Sequence, residues 1–382
     1  MKILILGYIV RGPLGGLAWH HLQYVLGLRE EGHDILFIED SDNFESCYNP
    51  ETNEMSVNPK YGLNFINELF KKFELENKWA YFDEHTNSWF GTSKEKVIQF
   101  CNDAEIVLNI SGVNPLREWW LKIPNRVFID TDPGFVQIRN LTIPKSFELA
   151  AAHNHFYSFG ENIDNDNCLI PDDGFSWKGT RQPVFLPAWK FSDPKLSGKW
   201  TTVMQWDSYK SLSYEEKNYE MKSASFRPYE SLPLLLPDEK FELASGSASV
   251  PHDLLKKNGW HVISSLLPTR DAWTYQKYIN ESKGEWSIAK QGYVMSNSGW
   301  FSERSLSYLA SGKPVIVQDT GFSKNFEMKK GVFAFQSIED ILDAVFQINS
   351  DYAFQCKQAR NWVEENFSSE KVLRKLLSGI NS

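Results

Sequence analysis

The chain has 382 residues, of which 42% are hydrophobic and 14 are tryptophan, so it is too long for one ordinary core and fits two. A charged content of 23% argues against disorder, and no apolar run approaches the roughly 18 residues that suggest a membrane span. A net charge of −9 would repel a polyphosphate backbone; nucleic acid is therefore not expected as a partner, and any phosphate site has to be a local positive spot.

The four cysteines, Cys47, Cys101, Cys168 and Cys356, show no C-x-x-C spacing and no histidine cluster, as expected of buried reduced thiols. An apolar strand over residues 2–6 leaves no room for a signal peptide, so a cytoplasmic protein without a transmembrane segment is expected. That strand runs into Gly7, and Gly12, Pro13, Gly15 and Gly16 predict a flexible loop before a helix over residues 17–31. Leu22, Val25, Leu26 and Leu28 form the apolar side of that helix, which stops at Gly32 before a strand over residues 35–38. The dinucleotide fingerprint G-x-G-x-x-G is absent. Residues 42–59 are polar and aperiodic, which predicts a long loop; residues 63–73 read as an amphipathic helix and 106–110 as a strand.

Residues 126–129 form a further apolar strand, followed by Asp130-Thr131-Asp132-Pro133-Gly134. Three readings of this D-x-D stand side by side. It could hold a divalent metal on a diphosphate, supply a general base at the carboxyl end of a parallel strand, or cap the turn at Pro133 and Gly134. The Pro-, Gly- and Trp-rich stretch up to residue 190 predicts a domain boundary. A second domain opens with a strand over 200–206, followed by Lys210. Farther on, residues 286–289 read as a strand, 296–302 as a small polar loop, 306–310 as a helix and 314–317 as a buried strand. Backbone N–H groups near Ser298 and Gly299, aided by the helix dipole, are expected to face an anion. Arg270, Lys290 and Arg304 are candidate counter-cations, of which Lys290 and Arg304 flank the loop.

Several of these segments resemble the GT-B glycosyltransferases. The run Tyr308-Leu309-Ala310-Ser311-Gly312-Lys313-Pro314-Val315-Ile316 is similar to that family's A-x-G-x-P-V signature. Residues 262–278 resemble the strand, proline turn and short helix upstream of it, and residues 359–368 resemble its crossing-back helices. Near the start, Gly15, Gly16, His20, Gly32 and His33 match a recurring pattern of glycines and histidines. The sequence also departs from the family. Two glutamates eight residues apart, carried by many retaining members, are replaced here by Gly299 and Ser307, with Glu303 between them, and Gln205 replaces an arginine that holds donor phosphates.

The resemblance implies an α/β protein of two Rossmann-like doubly wound domains facing each other across a cleft. Residues 1–190 would bind the acceptor, residues 191–358 the donor nucleotide-sugar, and residues 359–382 would return to the first domain. It implies transfer of a sugar from a nucleoside-diphosphate sugar to the hydroxyl of a glycan, a lipid-linked or a small-molecule acceptor, with no cofactor and no metal. A nucleotide-sugar epimerase and an inactive nucleotide-sugar-binding subunit are the alternatives. His20, Asp130 and Asp132 are the expected catalytic residues; Gly15, Gly16, Lys210, Arg270, Lys290, Ser298, Gly299, Ser302, Glu303 and Arg304 are expected around the donor.

Overall fold

The computed structural model describes residues 1–45, 47–115, 117–328 and 330–381. Short, almost wholly apolar strands such as Ile3–Leu6 can be stable only when both faces are covered, and this chain buries them in two mainly parallel sheets with helices on either side. The first sheet contains β1 (Lys2–Leu6), β2 (Asp34–Asp40), β3 (Trp79–Asp83), β4 (Ser88–Gly91), β5 (Ile106–Ile110), β6 (Asn125–Asp130), β7 (His155–Ser158) and β8 (Trp177–Gly179). Its order is β8-β7-β6-β5-β1-β2-β3-β4, parallel except for the β3–β4 hairpin. The second contains β9 (Trp200–Val203), β10 (Phe241–Ala244), β11 (His261–Ile263), β12 (Gly284–Ser287), β13 (Val315–Gln318) and β14 (Val332–Phe335), ordered β11-β10-β9-β12-β13-β14 and parallel throughout. The strand order reverses beside β1 in one sheet and beside β9 in the other, the places where doubly wound sheets open a crevice at their carboxyl edge.

The helix Gly15–Glu30 is buried on nearly all sides, because three neighbours share it. One face lies on the first sheet. Another meets the second-domain helix Ala272–Glu281, where Trp19 Nε1 donates to the Ala272 carbonyl at 3.0 Å. A third carries the helix Ser369–Asn381, which crosses back from the second domain and buries Leu373, Leu376 and Ile380 in the first domain's core. This approach depends on Gly27, since a β-carbon there would stand 2.6 Å from Leu373 and 2.8 Å from Ser369. Within residues 42–59, expected to be a loop, the chain forms a small antiparallel hairpin, Cys47–Asn49 with Glu54–Ser56. Three-residue polar strands carry too short an alternation to be read from sequence.

Candidate functional site

A cavity of about 500 Å³ lies between the carboxyl edges of the two sheets. Its first-domain wall includes Tyr8, His20, Ser111, Asp132 and Arg139, and its second-domain wall Tyr209, Lys222, Lys290, Glu303 and Arg304. The loop after β1 is held in shape by the buried Glu39, whose carboxylate accepts the N–H groups of Ile9, Val10 and Arg11 at 2.6–2.7 Å.

His20 and His21 are adjacent on one helix and play different parts. His21 is fully buried; Nε2 accepts from the Tyr8 N–H at 3.1 Å, so Nδ1 carries the proton and donates to the Leu17 carbonyl at 2.9 Å. His20 lines the cavity, 9% exposed, with edge-on aromatic neighbours Tyr24 and Phe159 and no ring-nitrogen hydrogen bond to any described residue. Burial pushes its pKa below the ordinary range, and the Glu303 carboxylate on the opposite wall pulls the other way. The imidazole is therefore neutral and free to accept a proton.

The two aspartates of D-x-D are also unlike. Asp130 is fully buried, accepting from the Asp132 N–H at 2.7 Å, Ser158 Oγ at 2.7 Å and Gln137 Nε2 at 3.1 Å; burial raises its pKa to about 6. It does not line the cavity, and its oxygens are engaged inside the turn. Asp132 does reach the cavity. Burial alone would raise its pKa, but Lys290 and Arg139 outweigh burial and hold it at about 2. Lys290 Nζ (2.7 Å) and the Tyr293 hydroxyl (2.5 Å) donate to Oδ1, while Arg139 (3.0 Å) and the Tyr209 hydroxyl donate to Oδ2. A carboxylate so paired and so acidic is a poor proton acceptor, which corrects the expectation that either aspartate is placed to act as base.

The small polar loop at 296–299 also differs from expectation. The N–H groups of Asn297, Ser298 and Gly299 donate to the carbonyls of Val294, Tyr293 and Thr320, so none is left for an anion. The loop instead docks on the first domain. Asn162 Nδ2 donates to the Asn297 carbonyl at 2.9 Å and the Asn162 N–H to the Ser298 carbonyl at 3.1 Å, while the Gly299 Cα lies so close to Asn162 that a β-carbon would fall at 2.7–2.9 Å. The helix that opens on the cavity is Glu303–Ala310, capped by Ser302 Oγ, which accepts from the Arg304 N–H at 3.2 Å. Gly15 and Gly16 are likewise the first turn of a helix and not a loop, and Gly15 packs against the backbone of Asp271 in the other domain. Only Gly16 of the pair lines the cavity.

Two expected cations lie elsewhere. Lys210 is exposed and outside the cavity, and Arg270 points to solvent with its side chain 74% exposed, 3.6 Å from Asp271. Arg304 is central. It pairs with the buried Glu285 and donates from Nη1 to the Val203 carbonyl at 2.8 Å, and its buried Nη2 has no partner among the described residues. Lys222, not foreseen from sequence, lines the cavity with no hydrogen bond or ion pair to any described residue. Burial lowers its pKa to about 7; Arg304 pushes the same way and Glu303 opposes. The hairpin of Leu212–Tyr214 with Lys217–Tyr219 is inserted between β9 and Lys222, carrying this lysine beyond the spacing at which Lys210 was selected. Sequence reading also missed Arg139 and the pair Tyr209 and Tyr293, which carry no local motif.

No model of a known protein family matches the chain, and no curated protein sequence matches it. Solved structures do. The chain superposes over its whole length on 99% of an alpha-glucosyltransferase in complex with UDP and a 13-mer DNA containing a central A:G mismatch, with a TM-score of 0.60 at 11% identity. It also covers all of Anabaena Alr3699/HepE in complex with UDP and glucose (TM-score 0.56, 12% identity). A third likeness is to sucrose-phosphate synthase from Thermosynechococcus elongatus, with 99% of this chain on 100% of that one (TM-score 0.52, 12% identity). The DNA in the first of these overturns the expectation that nucleic acid is excluded as a partner: a protein of this architecture holds a polyanion, and net charge over a whole chain does not describe a local surface. The likeness at this level of identity speaks for architecture, and the architecture is GT-B: two Rossmann-like domains facing one another across a cleft, with a helix returning to the first.

Proposed function

We propose that this chain is a glycosyltransferase that moves a sugar from a nucleoside-diphosphate sugar to an acceptor hydroxyl. The observation that carries the reading is the convergence on one cavity of Lys222, which pairs with no described residue, the unpaired Nη2 of Arg304, and a neutral imidazole, His20, on the facing domain. UDP bound in the superposing alpha-glucosyltransferase and in HepE supports the same donor class. In the reaction the acceptor oxygen bonds to the anomeric carbon as the bond from that carbon to the diphosphate breaks. Lys222 and Arg304 stabilise the negative charge that develops on the leaving diphosphate, and His20 takes the acceptor proton. Closure of the two domains over the bound donor then excludes the water that would otherwise consume it.

The acceptor class includes nucleic acid beside glycans, lipid-linked sugars and small molecules, since a DNA-bound structure shares the fold. We further propose that transfer needs no metal, because the protein's own cations, Lys222 and Arg304, are placed for the diphosphate. Donor hydrolysis or transfer measured with UDP-, GDP- and ADP-sugars tests the reading, with and without EDTA. Turnover insensitive to EDTA is expected; absence of both binding and turnover with every donor would overturn it, and loss of turnover restored by Mg²⁺ would overturn its metal-free form.

A further inference from the structure

The groups around Asp132 come from both domains. Asp132 and Arg139 belong to the first, while Lys290, Tyr209 and Tyr293 belong to the second. Lys290 Nζ also donates to the Tyr209 hydroxyl at 2.7 Å and lies 4.7 Å above the ring of Phe135. Arg139 lies 5.3 Å above the ring of Tyr209. One carboxylate thus receives four donors, two of them cations, inside an aromatic box open to the donor cavity. Two cations face Asp132, and the field of the neighbouring Asp130 also reaches Lys290. Four convergent donors around an oxyanion also make a fitting receptor for a phosphate, whose oxygens accept the same charge-assisted hydrogen bonds.

We propose that Lys290, Arg139, Tyr209 and Tyr293 form an anion site shared by the two domains, which Asp132 fills while the cavity is empty and a phosphate of the donor takes when it binds. Donor binding is then an anion exchange. Asp132 clasps the domains in the empty protein, yields its cations to the diphosphate, and returns to them as the diphosphate leaves. This assignment rests on the nucleoside-diphosphate reading of the cavity, but the clasp itself does not need it. The low pKa of Asp132 keeps it charged and competing at any physiological pH.

Calorimetric titration with UDP and with inorganic pyrophosphate tests the exchange. Asp132→Asn removes the competing charge and is expected to bind both about tenfold more tightly than the wild type, while Lys290→Met is expected to bind them at least about tenfold more weakly. An Asp132→Asn protein that is folded by circular dichroism and binds no more tightly overturns the exchange. Small-angle scattering of the ligand-free proteins reads the clasp separately, with Asp132→Asn expected to be more extended than wild type and an unchanged profile overturning it. If neither UDP nor pyrophosphate binds the wild type or either variant, the donor reading fails with the exchange, and the scattering result alone decides the clasp.

Discussion

His20 and His21 separate a chemical role from a structural one within a single helical turn. His20→Ala is expected to lower kcat by about 10²-fold with donor affinity nearly unchanged and a smaller loss of stability than His21→Ala. His21→Ala removes a buried ring that bridges Tyr8 and Leu17, and is expected to cost about 2–4 kcal/mol of stability in a denaturant titration. Lys222 gives a second residue-scale test. With a pKa of about 7 it is largely neutral at pH 8 in the empty cavity, and a bound diphosphate favours its charged form, so binding has to take up a proton. Calorimetry of UDP binding in two buffers of different ionisation enthalpy should show that uptake in the wild type and its loss in Lys222→Met. In the sequence His20 was singled out by the resemblance of Gly15, Gly16 and His20 to a recurring family pattern, and it lines the cavity. Lys222 was not singled out, because the charges that act on it, Arg304 and Glu303, lie far along the chain and because a hairpin separates it from the strand β9.

The elements that the sequence places correctly are those specified by contiguous residues. The helix Glu303–Ala310 and the strand Val315–Gln318 follow from apolar spacing and from Gly312 between them. What the loop ahead of them does was not legible, since the groups that bind it come from Asn162, far back in the chain. Gly15 and Gly16 are equivalent as letters and different in place. A β-carbon at Gly15 would stand 2.3 Å from the Asp271 carbonyl oxygen, whereas at Gly16 the nearest atom is 3.6 Å away on Tyr275. Gly15→Ala is therefore expected to force the two helices apart, lowering stability by about 1–3 kcal/mol, while Gly16→Ala stays within about 0.5 kcal/mol of wild type in thermal or denaturant unfolding.

At the scale of the whole molecule, the two aspartates after β6 give opposite pH dependences. Asp132, held at about 2, contributes stability that is complete above the ordinary carboxyl value near 4 and is lost as the pH falls through 2. Asp130, raised to about 6, contributes stability that is present below about 4 and is lost as the pH rises through 6. Unfolding free energies of Asp130→Asn should accordingly show a flatter slope than wild type between pH 4 and 6, and those of Asp132→Asn a flatter slope below pH 4. The two-domain architecture was legible in the sequence because length, alternating strands and helices, and the family-like segments all agree; the interlock of the domains was not, because it is made by contacts between residues far apart in the chain. The helix Ser369–Asn381 carries this furthest. Since it supplies Leu373, Leu376 and Ile380 to the core of the first domain, that domain cannot finish folding on the ribosome when its own sheet has emerged. Its helix Gly15–Glu30 has to wait, two flanks bare, until the intervening domain and the returning helix have been synthesised. Translation therefore completes the second domain before the first, and a nascent chain stalled ahead of residue 369 presents to chaperones the apolar groove that Leu373 later fills.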